Sequence, residues 1–270
     1  MSEYKMPLRP QDSNKGTFGK VLNFAGSNNF IGAAFLSTLA ILKAGAGYTA
    51  LSSDEKVLNS VSQTLPEAVY LTRKEGLKTL NNYTVILIGC GLGTGWSSTD
   101  VFLRVITSLQ NSDMPVIIDA DGLNILSRFK NRIILPCNTI ITPHPLEAAR
   151  LLGKEPEEVL NNLEPSAKEL SLMYNCVTVL KTHRTIICKD EKIHINEHGN
   201  SALAKAGSGD VLAGIISGFL AQKMMPFEAA KLGVYLHSRA GEIASQDLTE
   251  YSVLASDIIK YLPSAIKEIN

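Results

Sequence analysis

The stretch GNSALAKAGSGD, residues 199–210, leads directly into the apolar run VLAGIISGFL, residues 211–220. The run has helical spacing, so the sequence predicts a loop of small residues that enters the start of a helix. The first N–H groups of a helix lack partners within it, and together with the helix dipole they attract an anion. Glycine lets the backbone approach that anion closely. We therefore predict an anion hole at Gly207, Ser208 and Gly209.

Asp210 directly follows this loop, at a place where a bound phosphate would repel its carboxylate. One reason for an acid there is proton transfer at the group that receives or loses the phosphate. The alternative is that Asp210 only caps the helix. The stretch alone leaves both interpretations open.

Composition narrows the class of protein. The chain has 270 residues, 45% of them hydrophobic, which suits one large α/β domain, and we predict a single domain over residues 1–270. Lys plus Arg equal Asp plus Glu at 26 each, which argues against a surface for nucleic acid or membrane. The four cysteines have neither zinc-site nor C-x-x-C spacing, and the polar first 20 residues show no secretory signal. We expect a cytoplasmic protein with reduced thiols.

Short apolar runs alternate with helical patterns along the chain. The predicted strands lie at residues 20–25, 48–52, 68–71, 85–88, 116–118, 139–141, 177–180, 185–188 and 192–195. The predicted helices lie at residues 31–43, 55–62, 211–222 and 227–246, and the last two are expected to complete the core. The last two strands are close enough to form a hairpin. This alternation predicts an α/β fold with a doubly wound, mainly parallel sheet flanked by helices.

Polar and glycine residues follow the ends of the predicted strands, where ligands bind in such folds. The residues concerned are Gly26, the glycines of residues 89–95, Asp119, Asp121, His144 and Lys181. Because these strand ends meet at one edge of a parallel sheet, we expect one functional site there.

Each of these residues also has a plain structural interpretation. The glycines at residues 89–95 do not match G-x-G-x-x-G and suit turns equally well; no P-loop motif occurs either. Asp119 and Asp121 suit turns and helix caps, or the holding of Mg²⁺ or water near phosphates. Lys181 suits a solvated charge or a nucleotide contact. No cysteine or histidine spacing indicates a metal site, so we assign no metal ligand.

Two motifs together resemble a known family. The string Gly-Asn-x-Ala-Leu-Ala-Lys-x-Gly-x-Gly-Asp at residues 199–210 and the Thr-Pro-His-Pro motif at residues 142–145 resemble the ADP- or ATP-dependent NAD(P)H-hydrate dehydratases. The resemblance covers roughly residues 15–261 and implies a ribokinase-like fold. The short Gly-x-Gly-Asp motif alone is similar to the whole ribokinase-like superfamily.

The resemblance also implies site residues. Those implied for the hydrated dinucleotide are Gly32, Ala33, Gly91, His144 and Asp210. Those implied for the nucleotide are Lys181, Thr182, His183, Arg184, Thr185 and Gly209. Two departures from the family pattern concern the nucleotide loops. Thr182 replaces the usual glycine, and residues 200–205 read Asn-Ser-Ala-Leu-Ala-Lys instead of the commoner Asn-Pro-Gly-Met-Ala-Thr.

The implied reaction repairs NADH or NADPH whose nicotinamide ring has gained water at carbon 6. ADP, or ATP, would phosphorylate the hydroxyl of the S-epimer, and loss of phosphate would restore the ring and leave AMP. Asp210 would take the hydroxyl proton, the N–H groups at residues 207–209 would hold the developing charge, and Mg²⁺ would bridge the phosphates. The stand-alone form favours ADP and a homo-oligomer, most simply a tetramer.

Two rival functions remain open at this point. A kinase of the same superfamily, acting on a vitamin precursor or a sugar, would use Asp210 as the same base. A nucleotide-binding sensor would not need Asp210 at all. The loop at Gly91 and His144 between two prolines favour the dehydratase over the kinase.

Overall fold

The computed structural model describes residues 4–129 and 132–269, and within them nine strands join one sheet. The order is β3-β2-β1-β4-β5-β6-β7-β8-β9. Neighbours from β3 through β7 pair in parallel, and β8 pairs antiparallel with both β7 and β9. The strands are β1 (Lys20–Phe24), β2 (Tyr48–Ser53), β3 (Val69–Thr72), β4 (Val85–Ile88), β5 (Val116–Ile118), β6 (Thr139–Ile141), β7 (Val177–Leu180), β8 (Ile186–Lys189) and β9 (Lys192–Ile195). The predicted mainly parallel sheet and its final hairpin are confirmed.

Helices cover both faces of this sheet because successive strand residues point to opposite sides. In β1, for example, Val21 packs with the core on one face and Leu22 with the core on the other. Helices α1, α2, α9, α10 and α11 cover the first face, and the intervening helices cover the second. The helices are α1 (Ile31–Lys43), α2 (Glu55–Ser62), α3 (Arg73–Lys78), α4 (Trp96–Leu109), α5 (Asp121–Arg128), α6 (Pro145–Leu152), α7 (Pro156–Asn161), α8 (Leu163–Tyr174), α9 (Ser208–Ala221), α10 (Pro226–Ser252) and α11 (Ala255–Lys267). Within the described residues no helix combines the length and apolarity that crossing a bilayer requires.

The expectation that two long helices complete the core is wrong. Helix α10 continues to Ser252, with a break at Thr249 (φ 66°, ψ 155°), and α11 follows it. The buried residues Ile258, Ile259 and Leu262 of α11 recur at helical spacing and pack with the core of the first face. Helix α11 therefore adds apolar side chains to the core of the first face that the predicted helix at residues 227–246 does not supply.

The strand order reverses beside β1, which lies between β2 and β4. Ligands of doubly wound sheets bind at such a switch point, beyond the carboxyl ends of the strands. The two loops that leave β1 and β4 are joined there, since the Gly26 N–H donates to the Cys90 carbonyl at 2.8 Å. The fold therefore places the glycine loop of residues 89–95 at the predicted edge.

Helix α9 packs against α1 with almost no side chain between them. A Cβ added at Gly214 would lie 2.4 Å from the Ser37 carbonyl oxygen, and one added at Gly218 would lie 2.6 Å from the Cβ of Ala44. Only glycine allows this approach. It fixes α9 on the sheet, and hence the position of the predicted anion hole at its first residues.

We expect Gly214→Ala to lower the free energy of unfolding by about 1–3 kcal/mol, because overpacking outweighs the higher helix propensity of alanine. Gly32→Ala is the matched control, since a Cβ there meets nothing within 4 Å. Urea denaturation measures both variants. Equal stability of the two would contradict the close packing of α1 on α9.

Candidate active site

Three of the residues predicted to bind the dinucleotide form one wall. Gly91 has φ 59°, and a Cβ there would lie 2.6 Å from the Cβ of Phe30 and 2.7 Å from the Cβ of Ala33. Gly32, next to Ala33 on α1, faces open space. Glycine at residue 91 is therefore required both by its backbone and by its neighbours, which pack closely over it.

Lys181 and Asp119 form a buried ion pair beside the start of α9. The Lys181 Nζ donates to Asp119 Oδ1 at 2.7 Å, and the Thr142 hydroxyl donates to the same oxygen at 2.7 Å. Asp119 is 1% exposed, and a Cβ at Gly209 would lie 3.4 Å from Lys181 Nζ. The ends of β5, β6 and β7 thus meet the anion-hole loop, so Lys181 is not a solvated charge and Asp119 does more than close a turn.

Asp210 does not cap α9. The N-cap residue is Gly207, with φ 90°, and Asp210 is the third residue of the helix. Burial raises the pKa of Asp210 to about 7, and the nearby Asp119 adds to the shift while Cys90 and Lys181 oppose it. A carboxyl that titrates near neutral pH is suited to general base catalysis.

His237 contacts Ser208, the middle residue of the predicted anion hole. Its Nε2 lies 3.0 Å from the Ser208 carbonyl oxygen and 3.1 Å from the Ser208 hydroxyl. Burial lowers the pKa of His237 to about 4, so the ring is neutral and its N–H donates to the carbonyl. No local sequence pattern indicates this role, since His237 lies in a helix 29 residues from its partner.

His144 is the N-cap of α6, and Glu147 completes a reciprocal capping box. The Glu147 N–H donates to His144 Nδ1 at 3.3 Å, and the His144 N–H donates to Glu147 Oε2 at 2.9 Å. Burial and the charge of Lys181 lower the pKa of His144, whose side chain remains about half exposed (45%). The spacing His-x-x-Glu before an apolar run is the sequence signal for this arrangement.

The predicted nucleotide turn, residues 181–185, is closed by side chains. The Thr182 hydroxyl accepts from the Arg184 N–H at 3.2 Å, and the Thr185 hydroxyl donates to the Thr182 carbonyl at 3.1 Å. The backbone of Thr182 does not take a positive φ, so glycine is not required there. His183 and Arg184 are exposed and line a separate cavity of about 430 Å³ against Leu163.

The loop that departs from the family pattern at residues 200–205 is tied to α10. The Asn200 side chain accepts from the Ala202 N–H at 3.1 Å and donates to the Ser245 hydroxyl at 2.8 Å. The Lys205 Nζ donates to the Tyr251 carbonyl at 2.9 Å. These bonds hold the loop without the usual Pro-Gly pair.

A dedicated Mg²⁺ cage does not fit the residues at this site. Among the described residues, one group of acidic and thiol side chains comes together, Cys90, Asp119 and Asp210, with ligand atoms within 4.8 Å of one another. Mg²⁺ prefers oxygen ligands, and here one ligand is a thiol whose pKa burial raises and one carboxylate is already paired with Lys181. The other candidate, Asp121, accepts from the Gly93 N–H at 2.8 Å and so fixes the glycine loop.

Comparison with known proteins shows the family and the fold that this chain shares. Residues 21–264 match a family described as NAD(P)H-hydrate dehydratase. An ADP-dependent (S)-NAD(P)H-hydrate dehydratase of Neisseria meningitidis is 37% identical over 243 residues, which cover 88% of this chain and 81% of that protein. A crystallised ribokinase-like superfamily protein of Enterococcus faecalis has a TM-score of 0.89 at 32% identity, covering 98% and 92% of the two chains. The ADP/ATP-dependent dehydratase of Bacillus subtilis, co-crystallised with ATP/Mg²⁺, has a TM-score of 0.87 at 32% identity, covering 98% and 95%.

We expect Lys181→Met to lower the free energy of unfolding by about 3–5 kcal/mol, because it leaves the Asp119 carboxylate buried without its counter-charge. Lys168→Met is the matched control: it breaks the exposed pair with Glu191 and should cost about 0–1 kcal/mol. Thermal and urea denaturation at pH 7.5 compare the two. Similar losses in both variants would contradict a buried pair.

Proposed function

Because the chain belongs to the NAD(P)H-hydrate dehydratase family of ribokinase-like proteins, we propose that it restores NADH and NADPH from their hydrated S-epimers with ADP as co-substrate. The observation that carries the proposal is the position of Asp210. Its carboxyl lies at the start of α9, next to the anion-hole glycines and the Lys181–Asp119 pair, and titrates near neutral pH.

The chemistry explains why a phosphate donor is needed. Hydroxide is a poor leaving group, so the hydroxyl at carbon 6 first attacks the terminal phosphate of ADP while Asp210 takes its proton. The bond between that phosphate and AMP breaks. The lone pair of the ring nitrogen then expels phosphate, and loss of a proton from carbon 5 restores the dihydropyridine. The products are NADH, AMP, phosphate and a proton, and catalysis rests on positioning and charge stabilisation.

The proposed residue roles follow the geometry. Gly32, Ala33, Gly91 and His144 would bind the dinucleotide, since Ala33 packs against Gly91, a Cβ at Gly32 would meet open space, and the His144 side chain is 45% exposed. The N–H groups of Gly207 and Gly209 would hold the transferred phosphate, supported by the Lys181 ammonium beside Gly209. The Ser208 N–H, which the sequence also assigns to the anion hole, instead donates to the Lys205 carbonyl at 3.2 Å. The turn at residues 181–185, with Thr182, His183, Arg184 and Thr185, would bind the nucleotide.

Further features belong to the same proposal. Residues 1–270 would form one domain, since the described strands share one sheet. Mg²⁺ would arrive bound to the nucleotide phosphates, and no step is assigned to it. The enzyme would work in the cytoplasm as a homotetramer, a closed assembly of a common kind, which light scattering at micromolar concentration tests.

The two rival functions are weaker for stated reasons. A small-molecule kinase would share Asp210 but would release a stable phosphorylated product, and family membership favours the dehydratase. A sensor has no use for a buried carboxyl that titrates near neutral pH.

We expect purified protein to convert hydrated NADH into NADH only when a nucleoside phosphate is added together with Mg²⁺. Absorbance of the NADH band and phosphate release are followed in parallel, with ADP and ATP compared side by side. Phosphorylation of a thiazole, pyrimidine or sugar alcohol without recovery of the band would support the kinase instead. Binding without any turnover would support the sensor.

We expect kcat to rise about tenfold between pH 6 and pH 8, because the base acts only when deprotonated and activity is lost as pH falls through the raised pKa of about 7. Asp210→Asn should lower kcat by about 10²-fold or more, remove this rise, and leave ADP binding intact. A variant with near wild-type turnover would show that Asp210 is not the base.

A further inference from the structure

The carboxylate of Glu147 lies between the two halves of the site. Its Oε2 accepts from the His144 N–H at 2.9 Å and lies 4.0 Å from Lys181 Nζ. Its Oε1 lies 3.5 Å from His144 Nε2. One carboxylate therefore contacts both the residue proposed to touch the dinucleotide and the ammonium beside the anion hole.

This arrangement fixes the ring of His144. Its Nδ1 accepts from the Glu147 N–H, and its Nε2 lies 3.5 Å from Glu147 Oε1, so both nitrogens lie near Glu147. The side chain as a whole remains 45% exposed. An exposed imidazole held in one orientation suits contact with a flat heterocycle.

A helix cap alone does not require this residue. Glutamine completes a capping box as well as glutamate. Glu75 caps α3 in the same way with Thr72, but on the surface. Glu147 is 5% exposed, and its burial raises its pKa to about 7 despite the opposing charge of Lys181. A buried ionisable group is costly, so its charge has a use that the cap does not explain.

The charged groups around Glu147 indicate what its carboxylate does in the site. Lys181 attracts its carboxylate, Asp119 competes for the same ammonium at 2.7 Å, and Arg150 adds a weaker attraction. Lys181 is thus shared between two carboxylates and the place where the phosphate would bind. A change at either ligand site alters the balance of charge at Glu147, and a coupling of this kind acts equally in both directions.

We propose that Glu147 is a positioning residue that couples the two ligand sites, holding the His144 ring for the dinucleotide and the Lys181 ammonium for the nucleotide phosphates. The identity of the two ligands rests on the proposed function. Binding of either ligand then tightens binding of the other.

The test is Glu147→Gln at pH 8, where the wild-type carboxyl is ionised. Glutamine keeps the cap and removes the charge. We expect the KM values for ADP and for hydrated NADH each to rise at least about fivefold, while kcat changes less than about threefold. Glu75→Gln is the matched control and should leave both KM values unchanged. At pH 6, where the wild-type carboxyl is mostly protonated, the difference between Glu147→Gln and wild type should shrink.

Calorimetry separates this proposal from the proposed function. ADP is titrated in the presence and absence of NADH, with no turnover required. We expect NADH to tighten ADP binding at least about fivefold in the wild type and not in Glu147→Gln. If wild type shows this coupling but no turnover of hydrated NADH, the proposed function is wrong and the role of Glu147 stands.

Three results would overturn the coupling role. The first is wild-type KM values and coupling in Glu147→Gln at pH 8, which would reduce Glu147 to a helix cap. The second is absence of coupling in the wild type itself, including failure to bind either ligand. The third is unchanged coupling in Glu147→Asp, the variant to be used if Glu147→Gln does not fold. Aspartate keeps the charge but carries it on a shorter side chain that withdraws from Lys181.

Discussion

The ion pair between Lys181 and Asp119 is the contact on which the site depends. It joins the end of β7 to the end of β5, and it stands beside Gly209 at the start of α9. Without the ammonium, the carboxylates of Asp119, Glu147 and Asp210 would face one another in a buried space. Burial raises the pKa values of Glu147 and Asp210 to about 7, and the Lys181 ammonium, while paired with Asp119, opposes both shifts. Carboxyl groups with such pKa values suit the proton transfer that we propose for Asp210.

The position of this ion pair depends in turn on the packing of α9. Gly214 and Gly218 bring that helix onto the backbone of α1, while Asn23 of β1 donates to the hydroxyls of Ser37 and Thr38 on α1. The sheet, α1 and α9 are thereby locked together. The start of α9 cannot move relative to the loops after β5 and β7 without disturbing this packing, which gives the rigid support that phosphate transfer needs.

At both departures from the family pattern, local hydrogen bonds hold the loop in place. Thr182 closes its turn with a hydroxyl where a glycine is usual, and the loop at residues 200–205 is held by bonds from Asn200 and Lys205. Family membership is therefore compatible with altered nucleotide loops. Asp210 and the glycines before it, to which we assign the chemistry, are retained.

The sequence by itself predicted the nine strands, helices α1, α2 and α9, and the motif that precedes α9. Continuous apolar runs such as Val85–Ile88 located the buried strands, and helical spacing gave α1 and α2 with the bounds that the structure has, because these patterns reflect local geometry. It also predicted an anion hole directly before Asp210. Only the tertiary structure decided that Asp210 is no helix cap, that α11 follows α10, that His237 holds Ser208, and that Glu147 contacts both His144 and Lys181. The reason is physical: burial and charge pairing arise between residues far apart in the chain, such as Lys181 and Asp119 at a separation of 62 residues, and no local pattern encodes them.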